Sequence, residues 1–191
     1  MQYFLFTLLP TTSRLTFKHE QIQTNQISTK TTQNFFNESF QINMAKQFRL
    51  TEIQGDLFAC PAHFSLGHCV SGDFHMKKGI ATEFFAKFNS TYQDLQCVDF
   101  GIGIIAVFED GQRFIYNLIT KNLYYHKPTY HQLDCSLHRM RDHMLDNNVA
   151  HLALPRLACG LDKLEYPIVK AMIVQCFQHI PCEIRIYTLP Q

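Results

Sequence analysis

The chain has 191 residues, 46% of them apolar, and a formal net charge of +1 from 17 Lys and Arg against 16 Asp and Glu. That length favours one folded domain with room for a substantial core, and the near-neutral balance removes the main sign of a broad nucleic-acid-binding field. The seven cysteines are odd in number and contain no CxxC pair, and none of the ten histidines forms an HxxxH or HExxH pair. A disulfide framework and a metal centre are therefore not expected, whereas a reducing compartment is.

In chain order, the opening Tyr3-Phe4-Leu5-Phe6-Thr7-Leu8-Leu9 is too short to span a bilayer and has no basic residue ahead of it, so it makes a poor signal peptide. The same region is poor in acids and rich in hydroxyl residues, which leaves a mitochondrial leader open, but arginine is too scarce to favour it. Residues 19–43 are rich in Gln, Asn, Thr and Ser and lack a sustained apolar period, which predicts disorder. Residues 1–45 are thus expected to be a tail and 46–191 the folded domain, with Met44-Ala45 as a candidate internal start.

Phe48 to Ile53 alternates apolar and polar residues, as a first strand does, and Leu66-Gly67-His68-Cys69-Val70 predicts a short buried strand. Ile80, Phe84 and Phe88, widened by Phe85, form the apolar stripe of a helix. Ile104 to Phe108 and Arg113 to Tyr116 flank Asp110-Gly111, a strong hairpin signal. A helix starting near Pro128-Thr129 would bury Leu133, Leu137, Met140 and Met144, and Leu152 and Leu154 belong to the next strand. Pro167 suits the first turn of a last helix, with Val169, Ile173, Cys176, Phe177 and Ile180 on its face. Cys182 to Tyr187 closes the chain as an alternating strand. Strands interleaved with helices predict a three-layer α/β/α domain with a mixed, largely parallel sheet.

Two segments carry the chemistry. Asn117-Leu118-Ile119-Thr120-Lys121 is a buried strand ending on a lysine, and Pro155 to Asp162 is a strand end and small-residue loop ending on an aspartate just before a helix. Open α/β sheets bind ligands at the carboxyl ends of their strands. There, an amine nucleophile assisted by an acid–base carboxylate is a sensible pair for attacking an activated carbon. The amine must be deprotonated to attack; burial favours that state and a close carboxylate opposes it.

Residues 49 to 189 resemble a macrodomain, and within that family the terminal ADP-ribose protein glycohydrolases, also described as O-acetyl-ADP-ribose deacetylases. The resemblance rests on Gly55 to Pro61, Leu66 to Ser71, Met76 to Ala81, Leu118 to Lys121, His126 to Tyr130, Pro155 to Asp162 and Tyr187 to Leu189, in order and at matching spacing. It implies a catalytic role for Lys121 and Asp162. It implies that Asp56 accepts a hydrogen bond from adenine with Leu57 beside it, and that Ser71 and the Gly79-Ile80-Ala81 turn surround the distal ribose. Ala158, Cys159, Gly160 and Leu161 match the loop along the pyrophosphate, with Tyr187 and Leu189 near the adenine.

The activity so implied is hydrolysis of ADP-ribose from modified glutamate or aspartate, with possible deacetylation of O-acetyl-ADP-ribose, without a cofactor. ADP-ribose and ADP-ribosylated proteins would be the partners of a monomer in the nucleus or cytoplasm, with no membrane and no nucleic acid required. Plainer readings stand beside these. A strand-end lysine is ordinarily a solvated cap, Asp162 a helix cap and Asp56 a turn residue. His68 is read as a core or pocket-wall histidine and Cys159 as a small packed thiol. Two positions depart from the family pattern, Lys77 after Met76 and Ala158, where glycine is usual. They motivate a second reading, a non-catalytic ADP-ribose reader. A basic scaffold for nucleic acid or poly(ADP-ribose) is a third, disfavoured by the charge balance.

Overall fold

A computed structural model of the protein describes residues 47–190. The expected tail over 1–45 and the candidate start at Met44-Ala45 lie outside the described residues. The strands are β1 (Arg49–Gln54), β2 (Ser65–Ser71), β3 (Ile104–Asp110), β4 (Arg113–Lys121), β5 (His151–Pro155) and β6 (Glu183–Thr188). The helices are α1 (Ile80–Lys87), α2 (Asn89–Leu95), α3 (Tyr130–Asp146) and α4 (Tyr166–Phe177), with a 3-10 turn at Leu57–Ala59.

The sheet order is β1-β6-β5-β2-β4-β3, every pairing parallel except the β3–β4 hairpin. Period-two alternation sends β4 side chains to two cores. Tyr116 and Leu118 pack with Leu133, Leu137 and Met140 of α3 and Val169 and Ile173 of α4. Ile115 and Ile119 pack on the other face with Phe84 of α1 and Tyr92 and Leu95 of α2. This is the expected three-layer α/β/α architecture. Gly67 lies mid-strand in β2 because a Cβ there would meet Leu154 Cδ2 at 2.7 Å.

Helix α3 begins where Pro128-Thr129 predicts. The Thr129 hydroxyl accepts from the Gln132 N–H, and the Gln132 side chain accepts in return from the Thr129 N–H, a full capping box. Two helix ends and one further helix differ from expectation. Phe88 is the C-cap of α1 rather than part of it, and Ile180 packs on the core from beyond the end of α4. Helix α2 was not foreseen, since Asn89, Ser90 and Thr91 are weak helix formers; burial of Tyr92 and Leu95 fixes it instead.

Candidate active site

Each of the five parallel strands delivers its last residue to one cleft: Gln54, Ser71, Lys121, Pro155 and Thr188 all line it. The cleft holds about 980 Å³ and gathers all twelve residues singled out in the sequence. Asp56 and Leu57 come from the segment after β1, Ser71 from the end of β2, Gly79, Ile80 and Ala81 from the start of α1, Lys121 from the end of β4, and Ala158, Cys159, Gly160, Leu161 and Asp162 from the loop after β5. Tyr187 and Leu189 line it as well.

Lys121 reaches the cleft through an irregularity. Val70 is paired with Ile119, but Ser71 is paired with Lys121, so β4 contains one extra residue. Such a bulge re-aims the side chains that follow it. Lys121 Nζ donates to Asp162 Oδ1 at 2.6 Å, and both side chains are only 13% exposed. Asp162 is therefore not a helix cap: α4 starts at Tyr166, and its N-cap is Glu165. The amine and carboxylate are already in proton-transfer contact.

The loop after β5 is held in an unusual shape. Ala158 has φ of 53° and Lys163 has φ of 60°, both left-handed. The Leu164 N–H closes onto the Ala158 carbonyl at 3.0 Å, and the Lys163 N–H onto that of Gly160 at 3.2 Å. A left-handed alanine is roughly 1 kcal/mol or more worse than glycine at the same place. Lys77, by contrast, is not among the positive-φ residues; in its loop the left-handed positions are Phe74 and Gly79. Lysine at 77 therefore carries no such backbone strain.

Asp56 uses Oδ1 to cap the 3-10 turn, accepting from the Phe58 N–H at 2.9 Å. Cys159 is a packed thiol whose Sγ donates to the Leu157 carbonyl at 3.0 Å, and burial pushes its pKa up, away from a thiolate. His68 does not reach the cleft. It is fully buried, its Nε2 lying 2.9 Å from Asn117 Oδ1 and 3.1 Å from the Tyr92 hydroxyl, with its ring stacked on Phe84 at 3.8 Å. Burial pushes its pKa down to about 3.

Sequence reasoning passed over several cleft residues. Arg156 stacks over Tyr166 at 4.2 Å, and His75 stacks on Tyr124 at 4.0 Å beside the exposed Tyr125. Asp73, just behind the lining, was missed although Asp73-Phe74-His75 forms an Asx turn, and Lys127 although it stands directly before Pro128 and the α3 cap. Among the described residues no cluster of three or more His, Cys, Asp or Glu is placed to hold a metal, and no helix is long and apolar enough to cross a membrane.

No protein-family model matches the chain. It is 45% identical over 141 residues to the human ADP-ribose glycohydrolase OARD1, a match spanning 74% of this chain and 92% of that protein. Among solved structures, the macrodomain of Thermus aquaticus DarG superposes with a TM-score of 0.68 at 25% identity, covering 74% of this chain and 99% of that one. Thermosipho africanus DarTG, solved in complex with ADP-ribose, superposes with a TM-score of 0.66 at 21% identity, covering 74% of this chain and 42% of that one. With this sheet order, a cleft across the five parallel strand ends and that degree of identity, the chain belongs to the macrodomain family, in the group of the ADP-ribose glycohydrolase OARD1.

Proposed function

We propose that this protein is a hydrolase that removes ADP-ribose from ADP-ribosylated glutamate and aspartate side chains, with Lys121 as nucleophile and Asp162 as acid–base partner. The observation that carries this reading is the 2.6 Å contact between Lys121 Nζ and Asp162 Oδ1 at the carboxyl end of the sheet. Asp162 takes a proton from Nζ along that bond. The free amine attacks the anomeric carbon of the distal ribose, a C–N bond forms, and the ester C–O bond breaks with its electron pair leaving on the carboxylate. As the C–N bond of the adduct breaks, Asp162 returns its proton to the departing Nζ, water adds to the anomeric carbon and its surplus proton passes to solvent, giving ADP-ribose and the original ammonium. On O-acetyl-ADP-ribose, whose acetyl ester is on a ribose hydroxyl, Asp162 would instead take a proton from a water that attacks the acetyl carbonyl, and return it to the ribose oxygen as the C–O bond breaks and acetate leaves.

The remaining cleft residues bind. Asp56 and Leu57 receive the adenine, and Ser71 with Gly79, Ile80 and Ala81 surrounds the distal ribose. The loop of Ala158, Cys159, Gly160 and Leu161 runs along the pyrophosphate, an anion suited to backbone N–H groups. Within it, the Cys159 N–H already turns onto the Arg156 carbonyl at 3.3 Å, which leaves Gly160 and Leu161 the better donors. All seven cysteines are free, in keeping with a nuclear or cytoplasmic setting.

The test is release of ADP-ribose from a glutamate-linked ADP-ribosylated protein by the full-length chain. Wild type should release it, and Lys121→Ala should not while still binding free ADP-ribose. The strained Ala158 favours the one alternative worth carrying, a reader that binds ADP-ribose without turnover. Calorimetric binding with no release by the wild type would identify it.

A further inference from the structure

The segment after β4, residues 122–128, leads from Lys121 to the cap of α3 and is tied to cleft loops on both sides. Towards the distal-ribose side, the Tyr124 N–H donates to Asp73 Oδ2 at 3.1 Å. The other oxygen of Asp73 accepts from the Ser71 hydroxyl at 2.5 Å and from the His75 N–H at 3.3 Å. Burial would raise the Asp73 pKa, but these three donors together outweigh it and hold the group lowered, as an ionised acceptor. Towards the other side, Lys127 Nζ donates to the Leu161 carbonyl at 2.5 Å, one residue before Asp162. Leu161 in turn leans towards the distal-ribose turn, since a Cβ on Gly79 would lie 3.6 Å from its Cδ1.

We infer that residues 122–128 form a two-point clasp, and that Asp73 and Lys127 are positioning residues that set the geometry of the Lys121–Asp162 pair. The inference rests on the hydrolase reading for its effect on rate and on the hydrogen bonds alone for its effect on structure. Leu157 and Ala158 anchor the start of the loop after β5 in the core, but from Cys159 to Asp162 the backbone is held by short-range turns, so a tether at Leu161 adds to the Lys121 bond in fixing where the Asp162 carboxylate sits. The clasp makes Ser71 an acceptor as well: its hydroxyl proton is committed to Asp73, so its oxygen presents lone pairs to whatever lies in the cleft. A catalytic carboxylate displaced by about 1 Å costs on the order of a hundredfold in rate without a matching loss of ground-state binding.

The test compares full-length Lys127→Met, Lys127→Arg and Asp73→Ala with wild type. Lys127 is exposed, and methionine keeps most of its apolar stem, so the fold should be retained; a thermal melt checks this. In Lys127→Met, kcat for release of ADP-ribose should fall roughly ten- to a hundredfold while the calorimetric Kd for free ADP-ribose moves less than about threefold, and Lys127→Arg should recover most of the rate. Hydrogen–deuterium exchange in 158–164 should quicken in Lys127→Met, and in 71–76 in Asp73→Ala. Loss of binding with kcat unchanged would overturn the inference and make Lys127 a phosphate contact. Unaltered exchange in both segments would overturn it whether or not any variant turns over. A wild type that releases nothing would contradict the hydrolase reading instead, and the exchange data would still decide the clasp.

Discussion

Strands β2 and β4 carry two polar clusters three residues apart along β2, and the two differ in almost every respect. At the middle of the pair, His68 is in register with Asn117, and with Tyr92 the three form a closed knot at 0% exposure. The Tyr92 hydroxyl donates to Asn117 Oδ1 at 2.7 Å, and Asn117 Nδ2 donates to the Ala106 carbonyl at 3.0 Å. At the end of the pair, one bulge further on, Ser71 faces Lys121, and the Lys121–Asp162 contact opens onto the cleft. The same two strands thus hold a buried network around a neutral histidine and an ion pair that lines the cleft. What separates them is access to the cleft. A histidine held neutral by burial meets no ligand, whereas Lys121, the proposed nucleophile, stands at the cleft where one would bind.

The comparison breaks most visibly at the open cluster. Lys121→Met keeps the apolar stem and removes the amine, so release of ADP-ribose should fall by about a thousandfold or more in a single-turnover assay. Undiminished release would move the chemistry elsewhere in the cleft. The closed cluster should fail in the opposite way. Asn117→Ala removes the acceptor of the buried Tyr92 hydroxyl and one of the two partners of His68 Nε2, which should cost about 2–4 kcal/mol in urea unfolding, with activity per folded molecule kept. An unchanged midpoint would show that the knot does not stabilise the fold.

Acid sharpens the contrast further. The His68 pKa is about 3 in the fold against ~6.5 unfolded, so below ~6.5 the unfolded chain takes up a proton that the fold refuses. Its contribution to stability is present above ~6.5 and lost as pH falls towards 3, at up to about 1.4 kcal/mol per pH unit. The difference between wild type and His68→Gln across pH 6.5 to 4 isolates that slope; parallel curves would contradict it. The smallest effect belongs to the cleft loop. Ala158→Gly relieves a left-handed alanine but loosens the unfolded chain, for a net gain of up to about 1 kcal/mol in thermal unfolding. A clear loss of stability would mean that the alanine methyl packs usefully.

Much of this was legible in the sequence because it is written in periodicity and in cleft-facing residue types. The four-residue spacing of Leu133, Leu137, Met140 and Met144, the Asp110-Gly111 hairpin and the Pro128-Thr129 start each specify their element locally. The twelve cleft residues were legible through the order and spacing of short motifs across the folded region. The rest depends on contacts distant in sequence. The bulge at Val70/Ser71 is a relation between two strands, and no single strand announces it. Helix α2 follows from burial of Tyr92 rather than from the propensity of Asn89 to Thr91. Asp73 and Lys127 act across 51 and 34 residues of chain, so their partners appear only when the loops are folded together. The left-handed backbone at Ala158 was hidden because alanine does not advertise it as glycine does.

The most direct test of the central assignment, an amine nucleophile served by a neighbouring carboxylate, is to trap the adduct. Full-length Asp162→Ala is incubated with glutamate-linked ADP-ribosylated protein at mildly alkaline pH, where solvent can take the Nζ proton in place of Asp162, then quenched and examined by intact mass and peptide mapping. The account predicts a single ADP-ribose increment on the enzyme that maps to Lys121 and disappears in the Lys121→Ala, Asp162→Ala double variant. An Asp162→Ala enzyme that turns over at the wild-type rate, or an increment that maps to another side chain, would contradict it.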